Sequence, residues 1–288
     1  MTGAFLRTAV AAAGLAFAFL PACPPAWAEP TQLKSGQTRL NGNLELPPGK
    51  KVADGIVLIL HSSLGDDRQE VVAALQQNLK TRGVGSLAVT LSLGIDNREG
   101  PRACGLLHDY ALAGTERELA AWLAWLHAEG ARTVDLVGFS RGATQVAELA
   151  PKLPWVGRVV LIAPAFATAA ERADSYQRAF NHPLDKPLAE AKANPLGKMT
   201  ADFLQCRDAQ VLGVTFLDAY QERLPQLAAD TKHSTLVVIA GKDDAVPDLA
   251  QKLPSQVPRA TIEDADHFFS GPSGEKAADA IATFVKKN

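Results

Sequence analysis

Apolar residues along this chain fall into two rhythms. Short, nearly continuous runs occur at Gly55 to Leu60, Ser86 to Leu91, Thr133 to Val137, Arg158 to Ile162 and Ser234 to Ala240. Runs of this length without alternation suit strands buried on both faces. Between them the spacing becomes helical. Val71, Val72, Leu75 and Leu79 recur at helical intervals after Asp66 and Asp67, either of which can cap a helix that Gly83 ends. Thr115 and Glu118 form a capping box for a helix running to about Glu129, and Ser140 to Leu149 reads as a further helix. Arg259 to Glu263 gives a last strand, and a closing helix runs from about Gly274 to Lys286. Ahead of all this, Gln37 to Leu46 alternates around Asn41-Gly42, which predicts an antiparallel hairpin. Strands alternating with helices imply an α/β fold, a mostly parallel central sheet with right-handed crossovers.

The rhythm breaks between Ala163 and Lys232. No clear strand signal occurs there, but Ala169 to Phe180 and Asp208 to Leu227 are compatible with helix. A long excursion inside a compact α/β domain is usually functional rather than loose loop. The pattern therefore predicts a helical cap inserted at about residues 164–232 of a single domain spanning 29–288.

The first residues follow different rules. Arg7 precedes an apolar run from Ala9 to Leu20 and a Pro-rich stretch ending Ala26-Trp27-Ala28. That is the layout of a secretory signal peptide over residues 1–28, with cleavage expected after Ala28 and a periplasmic destination. The run is shorter than the roughly 20 residues a bilayer span needs, so no stable membrane span is expected. Leu20-Pro21-Ala22-Cys23 is a poorer, lipobox-like match that would instead anchor the chain through a lipid on Cys23. Removing the leader takes away one arginine and no acid, leaving 28 basic against 31 acidic side chains. Nothing in that balance asks for nucleic acid. Cys104 and Cys206 remain, and in an oxidising compartment a disulfide between them and two separate thiols are equal alternatives. Neither cysteine has neighbours at metal-ligand spacing, so no metal site is read.

Gly138-Phe139-Ser140-Arg141-Gly142 joins a predicted buried strand to a predicted helix. A serine hydroxyl at such a strand-to-helix corner projects above the sheet, and the flanking glycines leave room for the turn. Here the chain resembles the α/β-hydrolase family, whose nucleophile, acid and histidine follow in that order. The resemblance implies Ser140 as nucleophile. His61, His108 and His127 precede Ser140, and His182 and His233 precede the strand that should deliver the acid. That leaves His267, in a run that looks like the family's histidine loop. The acid should follow Ser234 to Ala240, in Gly241-Lys242-Asp243-Asp244-Ala245-Val246-Pro247. Counting from the glycine selects Asp244; counting back from Val246-Pro247 selects Asp243, and the first count is preferred. Asp264 and Asp266 are expected to form the loop around His267.

An acyl-transfer mechanism also needs two backbone donors for the oxyanion. The resemblance places one on Arg141, directly after the nucleophile. The other falls in His61-Ser62-Ser63-Leu64-Gly65, similar to the family's His-Gly-x-x-Gly segment, with Ser63 the preferred donor and Leu64 the alternative. Ser62 stands where the family has glycine. His61 is expected to hold this loop rather than react.

The remaining features carry less. Arg98 and Arg102 either face solvent or reach over the site to hold an acidic substrate. Trp122 and Trp125, three apart on a helix, read as core packing. The expected function is hydrolysis of a carboxylic ester, or a related acyl bond, of a small-molecule acyl substrate, with no cofactor. Thioesterase, lysophospholipase and acyltransferase activity would use the same triad. An exported, non-catalytic binding protein on the same fold is the alternative from a different class.

Overall fold

The computed structural model describes residues 29–223 and 233–287. The leader, Cys23 and the last part of the expected cap, 224–232, lie outside the described residues.

The hairpin β1 (Glu29–Ser35) and β2 (Thr38–Glu45) leads to β3 (Ile56–Leu60), α1 (Glu70–Thr81), β4 (Gly85–Thr90), α2 (Leu112–Ala128), β5 (Val134–Phe139), α3 (Arg141–Leu149) and β6 (Val156–Ile162). After an excursion come β9 (Thr235–Ala240), α7 (Leu249–Lys252), β10 (Arg259–Ile262) and α8 (Pro272–Val285). The eight strands form one sheet in the order β1-β2-β4-β3-β5-β6-β9-β10. Pairing is antiparallel up to β4 and parallel from there to β10.

Every residue of β3, β4 and β9 is buried, because helices cover both faces. Alternate residues of one strand serve different layers. Val57 and Ile59 pack with Val72, Leu75 and Leu79 of α1 and Ala278 and Ile281 of α8. Leu58 and Leu60 belong to the opposite layer, with Leu119, Trp122 and Leu123 of α2 and Val146 and Leu149 of α3. Trp122 is fully buried and meets Trp125 edge-on, as core residues.

Three local expectations are corrected. The chain reverses at Gly36-Gln37, where Ser35 pairs with Thr38, rather than at Asn41-Gly42. Those two residues continue as strand and pair with Thr90 and Val89 of β4. α2 begins a turn earlier than the Thr115–Glu118 box implies, since Glu118 bonds the Ser92 amide (2.7 Å) and hydroxyl instead. Of the helix expected over Asp208 to Leu227, the described residues up to Arg223 hold the end of a strand and a shorter helix instead.

That segment belongs to the excursion between β6 and β9, which holds α4 (Ala169–Phe180), α5 (Asp185–Ala193), β7 (Lys198–Phe203), β8 (Cys206–Leu212) and α6 (Gly213–Tyr220). α4 begins with a reciprocal capping box, Thr168 with Glu171, and ends at Asn181 in the left-handed conformation. β7 and β8 form a separate antiparallel hairpin, so the helices of the excursion are joined by a strand pair. Tyr176, Phe203 and Phe216 cluster inside it. The long loop after β4 is stitched to this hairpin. Cys104 and Cys206 are joined as a disulfide, and His108 exchanges backbone bonds with Gln210 and Leu212. No described helix is long and apolar enough to cross a membrane.

Candidate active site

The corner between β5 and α3 holds Ser140 at φ +54° and ψ −117°, backbone angles rarely adopted by a residue with a side chain. Close packing enforces the corner. A Cβ on Gly142 would meet the carbonyl oxygen of His61 at 2.2 Å, and one on Gly138 would meet Gly142 and Ala143 backbone at 2.5 Å. Both glycines of the motif are therefore required by contact, and the first of these contacts presses α3 against the end of β3. The Ser140 amide is held by the carbonyl of Ile162 at 2.9 Å.

His267 reaches this serine from the loop after β10. Its Nε2 lies 3.0 Å from Ser140 Oγ, and its Nδ1 lies 2.8 Å from Oδ2 of Asp243. Asp266 organises the loop, accepting from the amides of Phe268 and Ser270 and from the Ser270 hydroxyl. Asp264 faces outward toward Lys242 and Lys276.

The preferred acid, Asp244, is corrected to its neighbour: Asp243 meets His267, and Asp244 is exposed. The reason is where the turn begins. The Asp243 amide already bonds back to Ala240, at the end of β9, so the third residue past the strand faces His267 and the fourth is thrown outward. Asp243 Oδ1 accepts the amides of Ala245 and Val246, both at 2.9 Å, leaving Oδ2 for the imidazole. Burial pushes this carboxyl up, but the His267 bond and charge and the two amides outweigh it and hold it below the ordinary value.

Arg141 opens α3, so its amide is one of those a helix leaves without an internal partner. Ser63 and Leu64 are the central residues of a turn closed by the Gly65 amide on the Ser62 carbonyl, with Leu64 at φ +54°. Neither the Arg141 nor the Ser63 amide donates to another of the described residues. Ser62, in place of glycine, is accommodated by a partner that sequence reasoning missed. Gln69 accepts the Ser62 amide at 3.1 Å and donates to its hydroxyl at 2.9 Å. A hydroxyl in that position needs a partner, which was the available signal, but nothing in the spacing points seven residues on.

His61 is buried and holds the loop. Its Nδ1 faces the Ser62 carbonyl at 2.7 Å, and its Nε2 accepts the Leu91 amide at 3.1 Å. Burial first, and then the Arg98 charge, pull it down to about 3, so it is neutral. Arg98 and Arg102 neither face solvent nor reach over the site; both are buried. Arg98 donates to the carbonyls of Leu91, Gly65 and Gly100, and burial lowers it to about 10. Arg102 donates to Leu107 and lies over the Tyr110 ring, and its amide bonds Leu64. These cations replace secondary structure in the loop after β4 by satisfying its carbonyls.

The side chain of Arg141 reaches into the excursion, where Asp218 of α6 lies 3.3 Å from its guanidinium and Arg223 holds the other Asp218 oxygen at 2.8 Å. The residue after the nucleophile is thus tied to the inserted segment, another contact not visible in the sequence. Chemically, Ser140, His267 and Asp243 form one continuous chain of contacts able to move a proton from hydroxyl to imidazole.

The model of the alpha/beta hydrolase family matches residues 56–283. No curated protein matches the chain in sequence. Among solved structures, Est1E from Butyrivibrio proteoclasticus with ferulic acid bound is similar at 18% identity and a TM-score of 0.62, over 88% of this chain and 97% of that one. The esterase domain of a Rhodothermus marinus protein is similar at 17% identity and 0.57, over 89% and 96%. The Pyrococcus furiosus esterase PF2001 is similar at 15% identity and 0.58, over 90% of each.

Proposed function

Because the chain belongs to the alpha/beta hydrolase family, we propose that it is an exported serine hydrolase that cleaves a carboxylic ester through an acyl-enzyme intermediate. The observation that carries this reading is the contact of His267 with Ser140 on one ring nitrogen and with Asp243 on the other. A binding module has no use for that pairing. The esterase names of several structures of similar fold are consistent with it.

In this mechanism His267 takes the Ser140 proton as the oxygen attacks the acyl carbon, and Asp243 stabilises the imidazolium. The amides of Arg141 and Ser63, with Leu64 the alternative to the second, receive the oxyanion at the N-terminus of α3, where the helix dipole also favours negative charge. His267 then protonates the departing alcohol, and water releases the acyl group by the same route. Export is supported by the leader pattern and by the Cys104–Cys206 disulfide, a bond that persists in oxidising compartments.

A fluorophosphonate probe tests the mechanism: the purified chain is labelled, and Ser140→Ala is not. Absence of labelling in both rejects the proposal. Amino-terminal sequencing of protein from the periplasmic fraction tests export, with Glu29 as the expected first residue.

A further inference from the structure

The loop after β4 reaches the oxyanion turn from outside it. The Arg102 amide donates to the Leu64 carbonyl and the Arg98 guanidinium to the Gly65 carbonyl, both at 2.7 Å. The two arginines are anchored differently. Arg98 lies in the half of the loop tied to β2, where Asn41 donates to its carbonyl and Arg39 bonds Asp96. Among the described residues, the stretch from 100 to 107 leaves its own loop only through the Arg102 bond to Leu64 and the Cys104–Cys206 disulfide. The backbone bonds of His108 to the excursion begin four residues past Cys104. Burial of Arg102 is itself uphill. Its Nε and Nη1 have no hydrogen-bond partner, and only the Leu107 carbonyl and the face of Tyr110 meet the buried cation. A guanidinium so short of partners is better solvated in water. The turn it supports is uphill too, since Leu64 stands at φ +54°, a conformation that a residue with a side chain keeps only where its surroundings impose it. Residue 102 must therefore be held in place, and the disulfide two residues on pins it to β8.

Cys206 is buried, whereas Cys104 is exposed, so a reductant can reach the bond on its Cys104 side. We propose that this disulfide is a redox-controlled positioning element for the oxyanion turn. Closed, it keeps Arg102 on Leu64 and the donor of that turn aimed at the site. Opened, it releases Arg102 to water and slows turnover without unfolding the chain. The proposal rests on the hydrolase reading above. The opening step consumes a dithiol. One of its thiolates attacks Cys104 Sγ, the S–S bond breaks, and Cys206 Sγ departs and takes up a proton. The second thiol then displaces Cys104 Sγ from the mixed disulfide, so the dithiol is oxidised to its own disulfide and both cysteines are reduced. Removing an oxyanion donor costs roughly 10²- to 10³-fold in turnover, so a donor loosened rather than removed should cost about tenfold. The chain is then fast in an oxidising compartment and slow in a reducing one.

The test compares the intact mature chain oxidised, reduced with dithiothreitol and reoxidised, together with the double variant Cys104→Ser/Cys206→Ser. Hydrolysis of nitrophenyl butyrate gives kcat and KM, and circular dichroism at the assay temperature reports the fold. Reduction and the double variant are each expected to lower kcat about tenfold, with KM within about twofold and the dichroism signal kept. Reoxidation is expected to restore kcat. An unchanged kcat in the reduced chain overturns the proposal. A rise in KM alone overturns it as well, because the bond then acts on substrate binding and not on the oxyanion turn. Activity lost only together with the dichroism signal is the third overturning result, since the bond is then a staple of the whole fold. An oxidised chain that neither cleaves esters nor takes a fluorophosphonate label rejects the hydrolase reading instead.

Discussion

The two sides of Ser140 use charge in opposite ways. On the histidine side, Asp243 and His267 come from separate loops and meet each other, while their loops are held by backbone amides folded onto Asp243 and Asp266. On the oxyanion side, Arg98 and His61 are buried against carbonyls and amides, and the groups facing the candidate substrate are plain backbone N–H. A side chain that must change protonation state needs a partner that tunes it. An amide that must only point needs a rigid support, and buried cations supply it where the chain has no regular structure.

The sharpest break in this comparison separates adjacent residues. Asp243→Asn is expected to lower kcat about 10³- to 10⁴-fold, as loss of the orienting acid does in serine enzymes. Asp244→Asn should leave turnover unchanged, and equal losses in ester hydrolysis assays would contradict the assignment. On the other side the largest effect should be on stability. Arg98→Ala strands the Leu91 and Gly65 carbonyls in the interior and should cost about 3 kcal/mol in urea unfolding. A loss near zero would mean that the loop is held by something else.

Next in size is Gln69→Ala, which should lower kcat/KM about tenfold by loosening the turn that carries Ser63 and Leu64. Ser62→Gly removes the hydroxyl that Gln69 satisfies, so the double variant should lose less than the sum of the singles. Additive losses would show that Gln69 does not act through Ser62. The last prediction is a pH slope. The folded pKa of His61, about 3, lies below its ordinary 6.5, so the unfolded chain takes up the proton first. Stability is then intact above about pH 6.5 and falls as pH drops toward about 3, by up to about 1.4 kcal/mol per pH unit. Urea midpoints that stay flat from neutral pH to about pH 5 would break this prediction.

The same contrast explains what could be read from the chain. The elbow was legible because strand, glycines, serine and helix lie within a dozen residues, and β3, β4 and β9 announce themselves as unbroken apolar runs. His267 was legible by its order along the chain. Asp243 was not separable from Asp244, since one residue of turn decides which carboxyl faces the imidazole. The β7–β8 hairpin was hidden because Lys198, Arg207 and Asp208 interrupt an alternation that places Met199, Phe203, Cys206, Ala209 and Val211 inside, with the polar Asp202 buried among them. Arg98 and Arg102 read as surface charges because no local spacing shows that they fold back onto carbonyls of their own loop, and Arg98 also onto Gly65. Gln69 and Asp218 touch the site through contacts that no local spacing encodes.

The bond between Cys104 and Cys206 closes a covalent ring 102 residues in span, and Ser140 lies inside it while Asp243 and His267 lie outside. A protease that cuts the chain between α4 and α5 therefore opens the ring without freeing either piece. The nicked protein should keep its full size on a non-reducing gel and separate into two fragments only when a thiol is added. The nucleophile then travels with the amino-terminal fragment, so an active-site label placed before the cut reports which band carries it.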